Sequence, residues 1–415
     1  MEIKPRSSMV HMAWRNLWRN KRRTFLTISG IAFSCFLFVF ATPVQFGAFD
    51  SMVDLSLRLF VGHAQIQKQG YEDNPQISNA IDNASQLAEQ IRSSDKFDAV
   101  AVRAAGFALV SSEERSYGAQ IMGVDADHEH GVSAIPAMVK QGHFLTSDTA
   151  QEVVIGSTLA RNLKIKVGDE LTILGSGKDG SMAATILPVV GIFESGDMAM
   201  DRFMVEIPIR TFQDLFGMGN SAHTIVVSAK SNLERDVVPK QLQAMLSDRP
   251  DLVVLNWEEL LPGLKETWDI KKIGGLVFML ILTVVVVFSI FNTFLMSVLE
   301  RTKEFGLMLA LGARPASIIR MVMLESLLLT LFGLALGMAV SVPLDLYLAV
   351  KGFMYPGLED IVKQYNLPIT SIFPQVNLFN ILLGPVIIFI STNLAAWIPL
   401  ARVRRLKPVD AMRTI

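Results

Sequence analysis

Apolar residues gather in four long runs, at residues 24–49, 273–299, 321–350 and 379–401. A helix of roughly 20 apolar residues crosses the hydrocarbon core of a bilayer, so each run predicts a transmembrane helix. One run precedes and three follow a mixed, polar stretch at residues 50–272. Within that stretch the apolar segments are short and bounded by Gly, Asp or Ser. They predict strands at 64–67, 105–111, 119–124, 152–155, 170–174, 186–192, 203–208 and 224–228. Helical spacing interleaves with them at 79–93, 158–163, 209–216 and 233–246. The expected fold is a membrane protein with four transmembrane helices and a large extracytoplasmic α+β domain, read as two lobes. Residues 51–60 and 257–272 carry no loop signal, so they are expected to extend the first two spans as stalks.

Composition agrees with lipid burial: 51% of residues are hydrophobic, 19% are charged and the mean hydropathy is +0.38. A net charge of −1 gives no basic footprint for nucleic acid. The first run exceeds the apolar core of a signal peptide, roughly 7 to 15 residues, and has no Ala-x-Ala-like site, so it reads as a retained anchor. Cys35, the single cysteine, lies in that run, which leaves the outer domain without a disulfide.

Lys and Arg mark the cytoplasmic flanks. They crowd residues 1–23 (Arg15, Arg19, Lys21, Arg22, Arg23), the loop 300–320 (Arg301, Lys303, Arg314, Arg320) and the tail 402–415 (Arg402, Arg404, Arg405, Lys407, Arg413). Both termini are therefore expected inside, with residues 50–272 and an outer loop at 351–378 outside. In a bacterium this is the inner membrane with a periplasmic domain. Trp14 and Trp18, one turn apart among the first basic residues, fit a helix lying in the headgroup region; a basic flank that only sets topology uses the same charges.

The loop 300–320 is longer than a turn between spans requires. Glu300, Arg301, Lys303 and Glu304 precede an apolar ladder of Phe305, Leu307, Met308, Leu309 and Leu311, and Gly312 stops it. The pattern predicts a short helix that offers charge and apolar surface to a partner.

Five segments carry a family resemblance. They are RNLWRNKRRTFLTISGIAFS, GHAQIQ, GVDAD with VVIGSTLARNLKIKVGDELTI, FNTFLMSVLERTKEFGLMLALGA, and AAWIPLARVRRLKPVDAMR. Together the chain resembles the permease subunits of ABC transporters related to MacB, FtsX and the lipoprotein-releasing proteins LolC and LolE. The resemblance implies a pair of permeases, identical or paralogous, bound to an ABC ATPase dimer through the loop after the second span. Glu300, Arg301, Glu304, Gly306, Gly312 and Ala313 match that loop's pattern, and Lys303, Phe305 and Leu309 join them as expected coupling residues. It also implies a periplasmic carrier or adaptor, and ATP with Mg in the partner, none being expected in this chain.

No ATP site of its own is expected. The nearest approach to a P-loop, Gly175-Ser176-Gly177-Lys178, has Thr172 at the first glycine position and Asp179 for the hydroxyl residue, and reads as a turn between strands. Asp125, Asp127, His128, Glu129 and His130 read as a solvated loop, since a contiguous run lacks the separated ligands of a closed metal site. Asp197, Asp201 and Arg202 with Met198, Met200, Phe203 and Met204 form either a cargo-facing loop or an ordinary connection. Glu325 is expected to pair or snorkel near the cytoplasmic face. Gly333 and Gly337 permit close helix contact, within one subunit or between two. Phe33, Phe36, Phe38 and Phe40 with Pro43 read as a lipid-facing surface; Phe36, Phe40 and Pro43 are candidate residues of a gate for lipid-anchored cargo. The expected activity is transport without catalysis in this chain, with lipoprotein release first. MacB-like efflux and FtsX-like activation of a cell-wall hydrolase are the alternatives.

Overall fold

The computed structural model describes the backbone of residues 5–230, 235–353 and 371–403. Most of the outer loop expected at 351–378, the tail from residue 404 and the start of the 233–246 helix lie outside these residues. Among the described residues four helices are long and apolar enough to cross a membrane. They belong to α2 (Lys21–Ser56), α10 (Pro262–Glu300), α12 (Pro315–Lys351) and α13 (Leu378–Val403). The described residues fall into two compact units, one of 5–49, 267–353 and 371–403, the other of 50–230 and 235–266.

In the first unit, α1 (Pro5–Leu17) joins α2 through a tight turn at Trp18–Asn20. Of the basic leader, Arg15 lies in α1, Arg19 in the turn, and Lys21, Arg22 and Arg23 open α2. Helix α1 reaches α12, where the Trp14 ring lies 5.3 Å from Phe332. The spans pack where small residues allow it. A Cβ added at Gly333 would come within 2.6 Å of Ile31, and one at Gly337 within 2.6 Å of Cys35 and of the Ala32 carbonyl. The glycine pair therefore seats α2 on α12 of the same chain. Phe38 is buried against Gly384 of α13, which removes it from the expected lipid-facing surface. Phe36 and Phe40, four residues apart, stack at 5.8 Å on another side of α2. At 100° per residue Phe38 lies well around the helix from both.

The second unit is built on ten strands, β1 (Ala64–Lys68), β2 (Ala99–Ser111), β3 (Ser116–Val124), β4 (Val139–Gly142), β5 (Val153–Gly156), β6 (Glu170–Ser176), β7 (Met182–Phe193), β8 (Met204–Pro208), β9 (Thr224–Ser228) and β10 (Leu252–Asn256). All belong to one hydrogen-bonded sheet, so the two expected lobes share a continuous ladder. The pairings β2–β3, β3–β8, β8–β5, β5–β7, β7–β6 and β6–β2 close a circuit of six strands. Alternation then sorts side chains to two faces. Ile121, Val153, Ile155, Val205 and Ile207 enter one apolar cluster, whereas Met122, Val154 and Met204 enter another. The turn expected at Gly175–Lys178 begins two residues later, at 177–181, because Gly175 and Ser176 still belong to β6. Strands β4 and β10 were not anticipated; β4 is short and mostly exposed, and it survives by pairing with β7.

Around the sheet lie α3 (Ala84–Arg92), α4 (Glu129–Val132), α5 (Ser157–Leu163), α6 (Met198–Phe203), α7 (Ile209–Leu215), α8 (Val238–Met245) and α9 (Trp257–Leu260). The expected solvated loop at Asp125–His130 is corrected here. Asp125 is buried under Arg92 and accepts a hydrogen bond from, or shares one with, His128 at 2.7 Å. Glu129 is fully buried against Arg103. Asp125 precedes α4 and Glu129 opens it, and charges with guanidinium partners tolerate burial, whereas Asp127, His128 and His130 stay exposed. No group of three or more metal-binding side chains occurs among the described residues.

Arg103 also donates to the Phe60 carbonyl and covers the Phe60 ring at 4.0 Å. Phe60 lies in the π-helical turn Leu57–Val61, so helical backbone runs on through residues 51–61 beyond the first apolar run. On the same face Glu206 of β8 is fully buried, and neither carboxylate oxygen has a hydrogen-bond partner. Burial, together with repulsion from Glu129 and against attraction by Arg103, pushes its carboxyl from 4.5 up to about 8.

Two outcomes follow from this packing. Gly337→Val should cost about 1–3 kcal/mol by overpacking, read from thermal unfolding in detergent. Between pH 4.5 and about 8 the folded chain holds a proton on Glu206 that the unfolded chain releases, so this group's stabilisation is complete below that window and is lost as pH rises through it. Glu206→Gln should flatten the fall in unfolding midpoint between pH 5 and 9.

Candidate coupling site

The loop after the second span begins where α10 ends at Glu300, and α11 occupies Thr302–Ala310. Its first turn is fixed by an internal ion pair. Arg301 is buried, with Nη1 donating to both oxygens of Glu325 at 2.9 and 2.8 Å. Asn16 of α1 donates to the same carboxylate at 2.8 Å. The Glu325 pairing expected from the sequence thus has two partners, which share Oε1. The guanidinium also lies 5.3 Å from the ring of Phe305, itself fully buried.

Outside this pair runs a second, exposed row. Arg19 donates both terminal nitrogens to Glu304, at 3.1 and 2.6 Å, and Arg23 donates to Glu300 at 2.8 Å. Arg301 Nε reaches Glu304 at 3.4 Å and so joins the rows. The Arg19 guanidinium holds the Glu304 carboxyl below its usual range. Each exposed pair is worth under about 1 kcal/mol, but together they fix register between α1–α2 and α11. The sequence carried a sign of this. Arg19 and Arg23 are four apart, as are Glu300 and Glu304, so two helical turns present matching rungs. Asn16, Arg19, Arg23 and Glu325 were the residues that sequence reasoning missed as members of this site.

The expected coupling residues divide into three groups. Arg301, Phe305 and Gly306 are buried, and Leu309 packs with Met308 against the spans. Glu300 and Glu304 make the ion pairs. Lys303 faces outward with Leu307 and Leu311, which are 56% and 81% exposed. Gly312 ends the helix at φ +90°, where a side chain is strained, and the Ala313 amide closes the end on the Met308 carbonyl at 2.9 Å. Arg314 and Pro315 then start α12. The result is a short rigid helix, braced from within by buried charge, that presents a small apolar tip beside a lysine.

Elsewhere in the first unit a cavity of 180 Å³ opens among α2, α10 and α13, lined by Gln45, Phe46, Trp268, Lys272, Met279 and Leu383 among others. Pro43, the third gate candidate, sits less than one turn before Gln45, and its carbonyl accepts from Gln375 at 3.0 Å. In the sheet unit the 197–204 connection is ordered: Asp197 caps α6, and buried Asp201 accepts from the Ser195 amide and hydroxyl at 2.9 and 2.6 Å. Met198 and Phe203 are exposed while Met200 and Met204 pack inward, and Phe203 lines a groove of 670 Å³ with Phe107, Leu109 and Leu174.

Residues 24–245, just over half of the chain, match the family model described as MacB-like periplasmic core domain, and residues 276–408 match FtsX-like permease C-terminal. The chain belongs to this family of MacB-like and FtsX-like permeases, the membrane components of ABC transporters, which work with ATPase partners. Two similar proteins are the macrolide export ATP-binding/permease proteins MacB 1 of Yersinia pestis and MacB of Salmonella typhimurium. Each is 26% identical over 97% of this chain and 60% of its own length, so the chain spans about three-fifths of these curated relatives. Among solved structures, the periplasmic region of MacB from Actinobacillus actinomycetemcomitans is 16% identical, with a TM-score of 0.35 over 49% of this chain and 92% of that one. The extracellular domain of YknZ, a noncanonic ABC-type transporter from Gram-positive bacteria, is 14% identical, with a TM-score of 0.35 over 46% and 98%.

Arg301→Ala leaves Glu325 without its cation and should cost about 3–5 kcal/mol. Arg301→Met combined with Glu325→Leu should recover most of it. Arg19→Ala should cost under about 1 kcal/mol. Denaturant titration of the detergent-solubilised chain separates the three.

Proposed function

We propose that this chain is the permease half of an ATP-driven transporter of the bacterial inner membrane. Its termini and α11 face the cytoplasm, and its sheet domain works in the periplasm. The observation that carries the reading is the braced α11 with Leu307 and Leu311 exposed at its tip. An apolar pair that the fold leaves uncovered, on a helix locked to α1 and α12, suits a socket on an ATPase subunit. Glu300, Arg301, Lys303, Glu304, Phe305, Gly306, Leu309, Gly312 and Ala313 build or terminate that helix. ATP and Mg bind in the partner, and two permeases, identical or paralogous, complete the assembly.

The leading cargo is a lipid-anchored protein released from the membrane to a periplasmic carrier. Phe36, Phe40 and Pro43 on α2, with the apolar cavity shared by α2 and α10, support sideways entry from lipid. The exposed groove at Phe107, Leu109, Leu174 and Phe203 supports onward handling of an apolar group. The second reading, efflux of peptides or drugs through a periplasmic adaptor, is favoured by similarity to proteins named for macrolide export.

Purification of the tagged chain from its native membrane in mild detergent, with mass spectrometry of what accompanies it, tests both levels. An ATPase should copurify, and Leu307→Asp with Leu311→Asp should reduce its recovery at least about tenfold without changing the unfolding midpoint. Absence of any ATPase after crosslinking, or undiminished recovery with the double variant, would sink the docking reading. Acylated proteins in the complex favour release; an adaptor without them favours efflux, and a cell-wall hydrolase favours a transmitter that moves no cargo.

A further inference from the structure

The sheet domain buries one guanidinium and two carboxyl groups on a single face. Arg103 stands opposite Val124 in the β2–β3 ladder, and Met122, two residues earlier, stands opposite Glu206 in the parallel β3–β8 ladder. Residues two apart on a strand share a face, so Arg103 and Glu206 are diagonal neighbours across β3. The guanidinium is committed elsewhere. Nε and Nη2 bind Glu129, while Nη1 binds the Phe60 carbonyl. Glu206 has no partner for either oxygen and no exposed surface. The charged groups acting on it are Glu129 of α4, which repels, and Arg103 of β2, which attracts. Its other ladder neighbours, Met122 of β3 and Val154 of β5, are apolar. An apolar side chain would fill this site without the cost of burying a carboxyl, so its presence next to an occupied arginine calls for a reason.

We propose that Glu206 is a second, vacant seat for Arg103, and that these two side chains position the Leu57–Val61 turn. In the arrangement seen, Arg103 grips Phe60, and burial favours the protonated form of Glu206. In the alternative, the Glu206 carboxyl gives its proton to water, Arg103 leaves the Phe60 carbonyl for the new carboxylate, and Glu129 retains a shared hold on the guanidinium. The turn is then free to move against the sheet. The purpose, passing motion from the first stalk to the domain, rests on the transport reading above; the exchange of partners does not.

Hydrogen exchange of the full-length chain in lipid nanodiscs tests the exchange without an ATPase. After correction for intrinsic rates, amides of residues 57–63 should exchange about tenfold faster at pH 9 than at pH 6.5, while those of β1 and β9 keep their protection. In Glu206→Gln the 57–63 segment should stay slow at both pH values. Equal corrected rates in the unaltered chain, the same acceleration in Glu206→Gln, or loss of protection in β1 and β9 alongside the turn would each overturn the proposal. Failure to capture an ATPase would remove the transport reading and leave this result standing.

Discussion

The first unit depends on the buried pair between Arg301 and Glu325. Either charge alone at the edge of the hydrocarbon would be expensive, and the pair is tolerable because each oxygen of Glu325 is met and Asn16 supplies a further donor. That requirement brings together the leader helix, the start of α11 and the early part of α12. It also decides the direction in which α11 leaves the spans, since Arg301 is its N-cap residue and cannot turn outward without stranding Glu325. The exposed pairs of Arg19 and Arg23 refine an arrangement that the buried pair has already fixed.

The same economy of charge operates in the sheet domain, with a different balance. There one arginine lies near two carboxyls but binds only Glu129, and burial favours the neutral form of Glu206. A carboxyl kept neutral by burial costs less than an unpaired ion, but it makes the face sensitive to pH. Because this face also receives Phe60 from the turn beyond α2, the sensitivity is placed where the chain passes from helix to sheet. In both units the buried arginine touches the segment that leads into or out of a span.

Apolar packing provides the remainder. Gly333 and Gly337 allow α12 to approach α2 at backbone distance, and the closed circuit of six strands gives the outer unit a core without disulfides. Among the apolar side chains left exposed are those at the tip of α11 and around Phe107, which is 75% exposed. Those surfaces carry the functional reading because the fold offers them no internal partner.

Length and hydropathy alone determined the four spans, since the bilayer sets a minimum apolar run that few soluble segments reach. Alternation and turn residues located eight of the ten strands among the described residues and, within two residues, the turn between β6 and β7, because those signals are local. Helix α11 was legible from the excess length of its loop and the glycine that stops it. Tertiary structure decided the rest. Asp125 and Glu129 look solvated in the sequence because nothing local reveals Arg92 and Arg103 across the fold. Phe38 looks like its neighbours until helix rotation places it against Gly384. The rungs joining Arg19 and Arg23 to Glu304 and Glu300 span nearly 300 residues of chain, and a pairing at that separation is fixed by which helices pack together, a choice that spacing can suggest but only packing makes.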